Sequence, residues 1–162
     1  VSANMLTEVG VQHVLIGHSE VRAVGAYHKG QMAQAHRANL NVIYCIGESS
    51  EAYQAGQTEQ VLREQLEDII QYGRLTIAYE PVWAIGSGKV PSVEEINAAV
   101  SVIRSVLREK TSNFDQVEIL YGGSVNNNNC LEIAKEANIN GFLIGGAALD
   151  VDKMLEVLDL CK

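Results

Sequence analysis

The chain alternates short, continuously apolar runs with longer stretches in which apolar residues recur every three or four positions. The runs His13-Val14-Leu15-Ile16, Val42 to Ile46, Leu75 to Tyr79, Val117 to Tyr121 and Gly141 to Ile144 predict β-strands. Most are apolar at successive positions, and a sheet wetted on one face would leave half of those side chains in water. Strands of this kind are buried on both faces, as in parallel sheets. Between them, Gln31 to Leu40 and Thr58 to Tyr72 have helical spacing, the second through Val61, Leu62, Leu66, Ile69 and Ile70. Ser92-Val93-Glu94-Glu95 has the form of a capping box and opens a helix whose stripe is Ile96, Ala99, Val100, Ile103 and Leu107. Asn129 to Ala137 and Asp152 to Leu160 predict two later helices, Ser2 to Val9 the end of an earlier one, and Asn126 to Asn129 a loop. No linker, low-complexity tract or shift in composition divides the chain. The reading is therefore α/β: residues 1–162 as one domain of parallel βα repeats, a helix followed by five strands that each lead into a helix.

The distinctive polar and glycine clusters all follow the C-terminal end of a predicted strand: His18-Ser19-Glu20, Gly47-Glu48, Glu80, Gly122-Gly123-Ser124 and Gly145-Gly146. In a parallel βα array those ends share one face, where active sites of such folds are built. The segment Ala78-Tyr79-Glu80-Pro81-Val82-Trp83-Ala84-Ile85-Gly86-Ser87-Gly88-Lys89 places one carboxylate at a strand end and follows it with an apolar tip between a rigid Pro81 and the pliable Gly86 and Gly88. That is the build of a lid. A carboxylate beneath an apolar lid is desolvated, which raises its proton affinity towards that of a general base, so Glu80 is the candidate base. His18, as a neutral imidazole at a strand end, is suited to polarise a carbonyl and move protons between neighbouring oxygens. Glu20 has two readings, a proton-relay neighbour of His18 or a partner for a nearby cation. Exposed backbone N–H groups at Gly122-Gly123 and Gly145-Gly146, with the Ser124 hydroxyl, suit a phosphate; tight strand-to-helix packing is the other account of such glycines.

Composition narrows the field. At 162 residues and 47% hydrophobic, the chain supports one well-cored domain. Its net charge of -8 and scattered Lys and Arg argue against a nucleic-acid partner. No apolar run approaches the roughly 20 residues of a membrane span, and no basic-then-apolar signal pattern opens the chain, so a cytoplasmic protein is expected. Three cysteines, Cys45, Cys130 and Cys161, lack metal-type spacing and suit a reducing compartment. Cys45, inside an apolar run, reads as a small buried hydrophobe, and no metal site is expected.

Ile16-Gly17-His18-Ser19-Glu20, the Glu80 lid segment and Leu120-Tyr121-Gly122-Gly123-Ser124, in that order, closely resemble the triosephosphate isomerase family. The resemblance implies a (β/α)8 barrel, usually a homodimer, that interconverts dihydroxyacetone phosphate and glyceraldehyde 3-phosphate in glycolysis and gluconeogenesis without a cofactor. It implies His18 as electrophile and Glu80 as base, the pairing for which this family is itself the standard example. It also implies Gly86, Ser124, Gly145 and Gly146 as phosphate contacts; the last two clusters match the phosphate site that barrels form after their final strands. A complete barrel typically needs about 250 residues. Val1 aligns near the family's fourth strand, so the strand-end Asn and Lys that contact substrate, and the loop that docks into a partner subunit, have no counterpart here, and neither Lys29 nor Lys89 stands in a similar context. Val21 occupies a position where the family has Arg, and the segment through Tyr27 and His28 lacks the usual acidic residue. The expected object is a partial barrel of about five strands, with open edges at the strands ending in Ile16 and Ile144. It is either a portion of a longer enzyme or a half-barrel that associates with itself or with a complementing chain. Two competing readings are another phosphate-binding barrel isomerase or lyase, and a catalytically dead half-barrel that keeps phosphate binding.

Overall fold

The structure is a computed structural model and describes residues 1–25, 29–67, 74–85 and 87–161. Strands β1 (His13–Ile16), β2 (Asn41–Ile46), β3 (Leu75–Tyr79), β4 (Glu118–Tyr121) and β5 (Gly141–Phe142) form one parallel sheet whose spatial order is the chain order. Helix α1 (Ala3–Glu8) precedes β1; α2 (Ser19–Ala23) and α3 (Lys29–Arg37) follow it; α4 (Ser50–Gln54) and α5 (Thr58–Gln65) follow β2. Beyond β3 come a 3-10 turn (Val82–Ala84) and the long α6 (Val93–Lys110), then α7 (Cys130–Glu136) after β4 and α8 (Val151–Leu160) after β5. This is the α/β arrangement of part of a barrel, with every strand direction alike and every crossover passing to the adjacent strand.

The two central strands carry the core. Ile46 and Ile77 are wholly buried, and so are Ile96, Ile103 and Leu107 on α6. The α6 stripe is buried as its spacing predicts, and its start is a full capping box: Ser92 Oγ accepts from the Glu95 N–H at 3.2 Å, and the Glu95 carboxylate accepts from the Ser92 N–H at 2.8 Å. Registers Ile46↔Tyr79 and Tyr79↔Tyr121 bring the ends of β2, β3 and β4 level, and Ile16↔Tyr44 ends β1 two residues earlier, so the segments after them emerge on one face.

Several boundaries differ from the sequence expectation. The helix expected to reach Leu40 ends at Arg37, because Asn39 is left-handed (φ 58°) and a Schellman pair closes the turn, Leu40 N–H to Ala35 O (3.0 Å) and Asn39 N–H to His36 O (2.9 Å). The last strand ends at Phe142, two residues before Ile144, since β4 stops at Tyr121 and offers only its carbonyl to the Leu143 N–H beyond. The helix expected over 58–72 is regular to Gln65; Ile69, Ile70 and Tyr72 lie outside the described residues, as do Tyr27 and His28. The five-residue helices α2 and α4 hold too few turns to display a period. Strands β1 and β5 each have one neighbour, and Leu15 on β1 is half exposed. Among the described residues no helix is long and apolar enough to cross a membrane.

Truncating Ile103 to Ala empties space at the centre of the α6 stripe and should lower the unfolding free energy by about 3 kcal/mol, read as a lower urea midpoint by far-UV circular dichroism.

Candidate active site

Glu80 follows β3 directly and is almost wholly buried, at 1% exposure. Its position depends on a close approach at Gly47. There a Cβ would sit 1.8 Å from the Glu80 carbonyl oxygen, and φ is +158°, so the residue after Ile46 must be glycine for the two strand ends to lie together. Gln65, the last residue of α5, fixes that glycine from the other side: its Nε2 donates to Gly47 O (3.0 Å) and its Oε1 accepts from Gly47 N–H (2.7 Å). The Glu80 N–H then bonds Ile46 O at 2.7 Å.

The carboxylate is held between three donors. Oε2 accepts from the Ser19 N–H (3.0 Å) and from Arg22 Nη1 (3.3 Å), while Oε1 faces His18 Nε2 at 3.2 Å. Burial raises the Glu80 pKa above its ordinary value, and the neighbouring His18 and Arg22 and the Ser19 N–H oppose that rise without cancelling it. Arg22 is itself anchored by three carbonyls, those of Gly17 (2.5 Å), Cys45 (2.9 Å) and Gly47 (3.3 Å). Its guanidinium therefore lies where β1, β2 and β3 end. Cys45 beneath it is fully buried, and desolvation, with the Glu80 charge second, pushes its thiol up to about 12. A thiol so hard to ionise is inert as a nucleophile, in keeping with its reading as a packing residue.

His18 and Glu80 open onto a cavity of about 540 Å³ also lined by Gly122, Ser124, Gly145 and Gly146. The expected phosphate residues thus share one cavity with the expected base and electrophile, except Gly86, which lies outside the described residues. The two glycine pairs differ in kind. A Cβ on Gly123 would collide with the Tyr121 ring and one on Gly122 would press the Glu80 side chain, so those glycines serve packing; at Gly145 and Gly146 nothing lies within 4 Å of a built Cβ, and their backbone is open to a ligand. Ser124 Oγ donates to Ala84 O at 2.8 Å, which ties the lid's first turn to the cavity wall. Glu20 lines the cavity with its side chain 89% exposed, 3.9 Å from His18 Nδ1.

The lid's own root is buried and polar. Glu48, at 1% exposure, accepts from Trp83 Nε1 (2.8 Å) and from the Tyr79 hydroxyl (3.1 Å), while its backbone carbonyl accepts from the Val82 N–H (3.1 Å). Burial and the Glu48 charge raise the Tyr79 phenol pKa, so the phenol remains a donor to that carboxylate.

The family model for triosephosphate isomerase matches residues 1–161. The chain belongs to the triosephosphate isomerase family. It is 42% identical over 177 residues to the triosephosphate isomerase of Psychrobacter sp. (strain PRwf-1), covering 97% of this chain and 66% of that protein. It is 40% identical over 173 residues to that of Alkalilimnicola ehrlichii, covering 100% of this chain and 69% of the relative. Against that of Dictyostelium discoideum it is 38% identical over 169 residues, covering 98% and 66%. The chain thus spans about two thirds of the length of these relatives.

Val21 stands where the resemblance implied an arginine, and the residue after it, Arg22, is the cation that reaches Glu80. Its sequence signal is slight, one cation three residues after a candidate histidine's neighbour, because its partners come from three separate strand ends. Glu48 had a plainer signal, an acidic residue directly after a strand-ending glycine, yet its work is to hold the lid's root rather than to meet a substrate.

The raised Glu80 pKa has a consequence for stability. Native chains keep a proton on Glu80 at pH values where unfolded chains, near the ordinary 4.5, have released theirs. Its contribution is therefore most favourable below that value and is lost as pH rises through the native pKa. Glu80→Gln removes this dependence, so the variant's melting temperature should gain on the parent's between acid and neutral pH; a gap that stays constant in scanning calorimetry would contradict the assignment.

Proposed function

We propose that this site interconverts dihydroxyacetone phosphate and glyceraldehyde 3-phosphate, with Glu80 as the base and His18 as the electrophile. The observation that carries the reading is the 3.2 Å approach of His18 Nε2 to Glu80 Oε1 in the lining of a cavity that the unobstructed Gly145 and Gly146 also line. Membership of an isomerase family supports it.

The reaction follows from these groups. Glu80 takes a proton from the carbon beside the substrate carbonyl, and the electron pair left behind moves onto the carbonyl oxygen, giving an enediolate. Neutral His18, donating from Nε2 to that oxygen, stabilises the new charge and passes a proton between the two adjacent oxygens. Glu80 returns its proton to the neighbouring carbon, so no net charge or redox equivalent is exchanged. A carboxylate that is 1% exposed cannot touch substrate while Oε2 rests on Ser19, so the side chain turns out of that pocket when substrate enters. The Ser124 hydroxyl becomes a phosphate donor once the Ala84 carbonyl leaves it, which couples phosphate capture to movement of the lid. Gly86 supplies a further backbone contact to the phosphate in this reading. Glu20, beside His18 Nδ1, acts there as a proton-relay neighbour or as the partner of a nearby cation.

The single-neighbour edges at β1 and β5 are closed by self-association or by a complementing chain in this reading, and three free thiols suit the reducing cytoplasm.

In a coupled isomerase assay, Glu80→Gln should lower kcat by roughly a thousandfold, and His18→Gln by a comparable factor. Phosphate binding without turnover in the parent chain would instead support the reading of a half-barrel that binds but does not react. Sedimentation velocity at micromolar concentration should show a species larger than one chain; a clean monomer would refute edge closure by self-association.

A further inference from the structure

The chain's single tryptophan, Trp83, sits in the lid's first turn and is held on two sides. Glu48 takes its indole N–H, and Tyr53 of α4 lies flat against its ring, with centroids 4.0 Å apart and planes 18° from parallel. The Tyr53 hydroxyl reaches further, donating to Glu95 Oε1 at 2.5 Å. Glu95 Oε2 is the capping-box acceptor of the Ser92 N–H, and Ser92 is where the lid segment ends and α6 begins. One side chain therefore touches both ends of the lid, its ring the root and its hydroxyl the carboxylate that caps the exit.

The lid position so held is a withdrawn one. Ile85, the apolar residue nearest the tip, is 39% exposed and borders the cavity without filling it, and Glu80 is turned onto Ser19 and Arg22. A lid that crossed the cavity by taking the Val82–Ala84 turn away from α4 would lose the stack of Trp83 on Tyr53 and strain the link through Glu95 to Ser92. Nothing in Glu80's own bonding involves Tyr53, so the tyrosine acts on the reaction through the lid alone.

We propose that Tyr53 is a positioning residue that latches the lid in its withdrawn position by clamping Trp83 and, through Glu95, the Ser92 end of the lid. An aromatic pair of this kind shifts an equilibrium by a factor of about five. Removing it raises the closed population by that factor, and any ligand that binds the closed form tightens equally. The statement about Trp83 stands on geometry alone; the statement about ligand rests on the isomerase reading.

Trp83 emission reports the lid directly, because no other tryptophan contributes. In the full chain, Tyr53→Leu should blunt the stack and raise acrylamide quenching of Trp83 about twofold, and Tyr53→Phe, which keeps the ring, should leave quenching near the parent value. Titration with inorganic phosphate should then give an apparent Kd about fivefold lower in Tyr53→Leu, with Tyr53→Phe showing a smaller decrease because it cuts the link through Glu95 to Ser92. In the isomerase assay KM should fall for Tyr53→Leu while kcat does not rise. Circular dichroism and the urea midpoint establish that each variant keeps its fold, and Tyr53, at 36% exposure, lies outside the core. Quenching unchanged in Tyr53→Leu overturns the latch, and so does weaker phosphate binding, which would make Tyr53 a support of the closed form. Should the parent bind no phosphate and turn over no substrate, the isomerase reading fails, and unchanged quenching in Tyr53→Leu would still overturn the latch.

Discussion

Everything at the C-terminal face is arranged around one desolvated carboxylate and the guanidinium set beside it. A buried ion pair is a poor source of stability, because the cost of taking two charges from water offsets most of their attraction. The fold tolerates Glu80 and Arg22 by giving each further partners: a backbone N–H for the acid, and three strand-end carbonyls for the base. Those carbonyls point where they do because the strands are parallel and their C-terminal ends lie on one face. The site is thus a product of the sheet's topology, and a change to the register of β2 against β3 would unmake the charge balance before it disturbed the core.

The lid follows from the same arrangement. Its root lies over Glu48, a second buried carboxylate one strand away, whose hydrogen bonds come from an indole and a phenol. Two acids a few residues beyond neighbouring strands therefore divide the labour. Glu80 faces a cavity and an imidazole, with a proton affinity raised by burial. Glu48 faces uncharged donors, one of them in the turn that follows β3. The register that pairs Ile46 with Tyr79 sets Glu80 level with Gly47, so Glu48 lies one residue further along its own segment, and the two carboxylates meet different partners.

Much of this is visible in the amino-acid order, and the reason is physical. Strands buried on both faces must be apolar throughout, so β2 and β3 announce themselves, and the capping box marks the first residue of α6 without ambiguity. His18, Glu80, Ser124, Gly145 and Gly146 stand out because each lies in the short segment beyond a strand's C-terminal end, and the fold brings them to one cavity. Arg22 and Gln65 do not stand out. Each lies on a helix among other polar residues, and its meaning comes from carbonyls and amides contributed by distant segments, which no local pattern encodes. Tyr53 is hidden for a similar reason: on a five-residue helix it resembles any half-exposed tyrosine until Trp83 and Glu95 arrive from elsewhere.

The clasp of Gln65 on Gly47 also bears on which residues this position accepts. Its amide presents one donor and one acceptor in a plane, as a peptide group does, so the side chain behaves as one rung of an additional strand laid against the end of β2. Glutamate has the acceptor without the donor, lysine the donor without the acceptor, and asparagine is a methylene too short to span the same gap. A helix residue has in effect been recruited into the sheet's hydrogen-bond ladder, and only an amide of that length can hold both places at once.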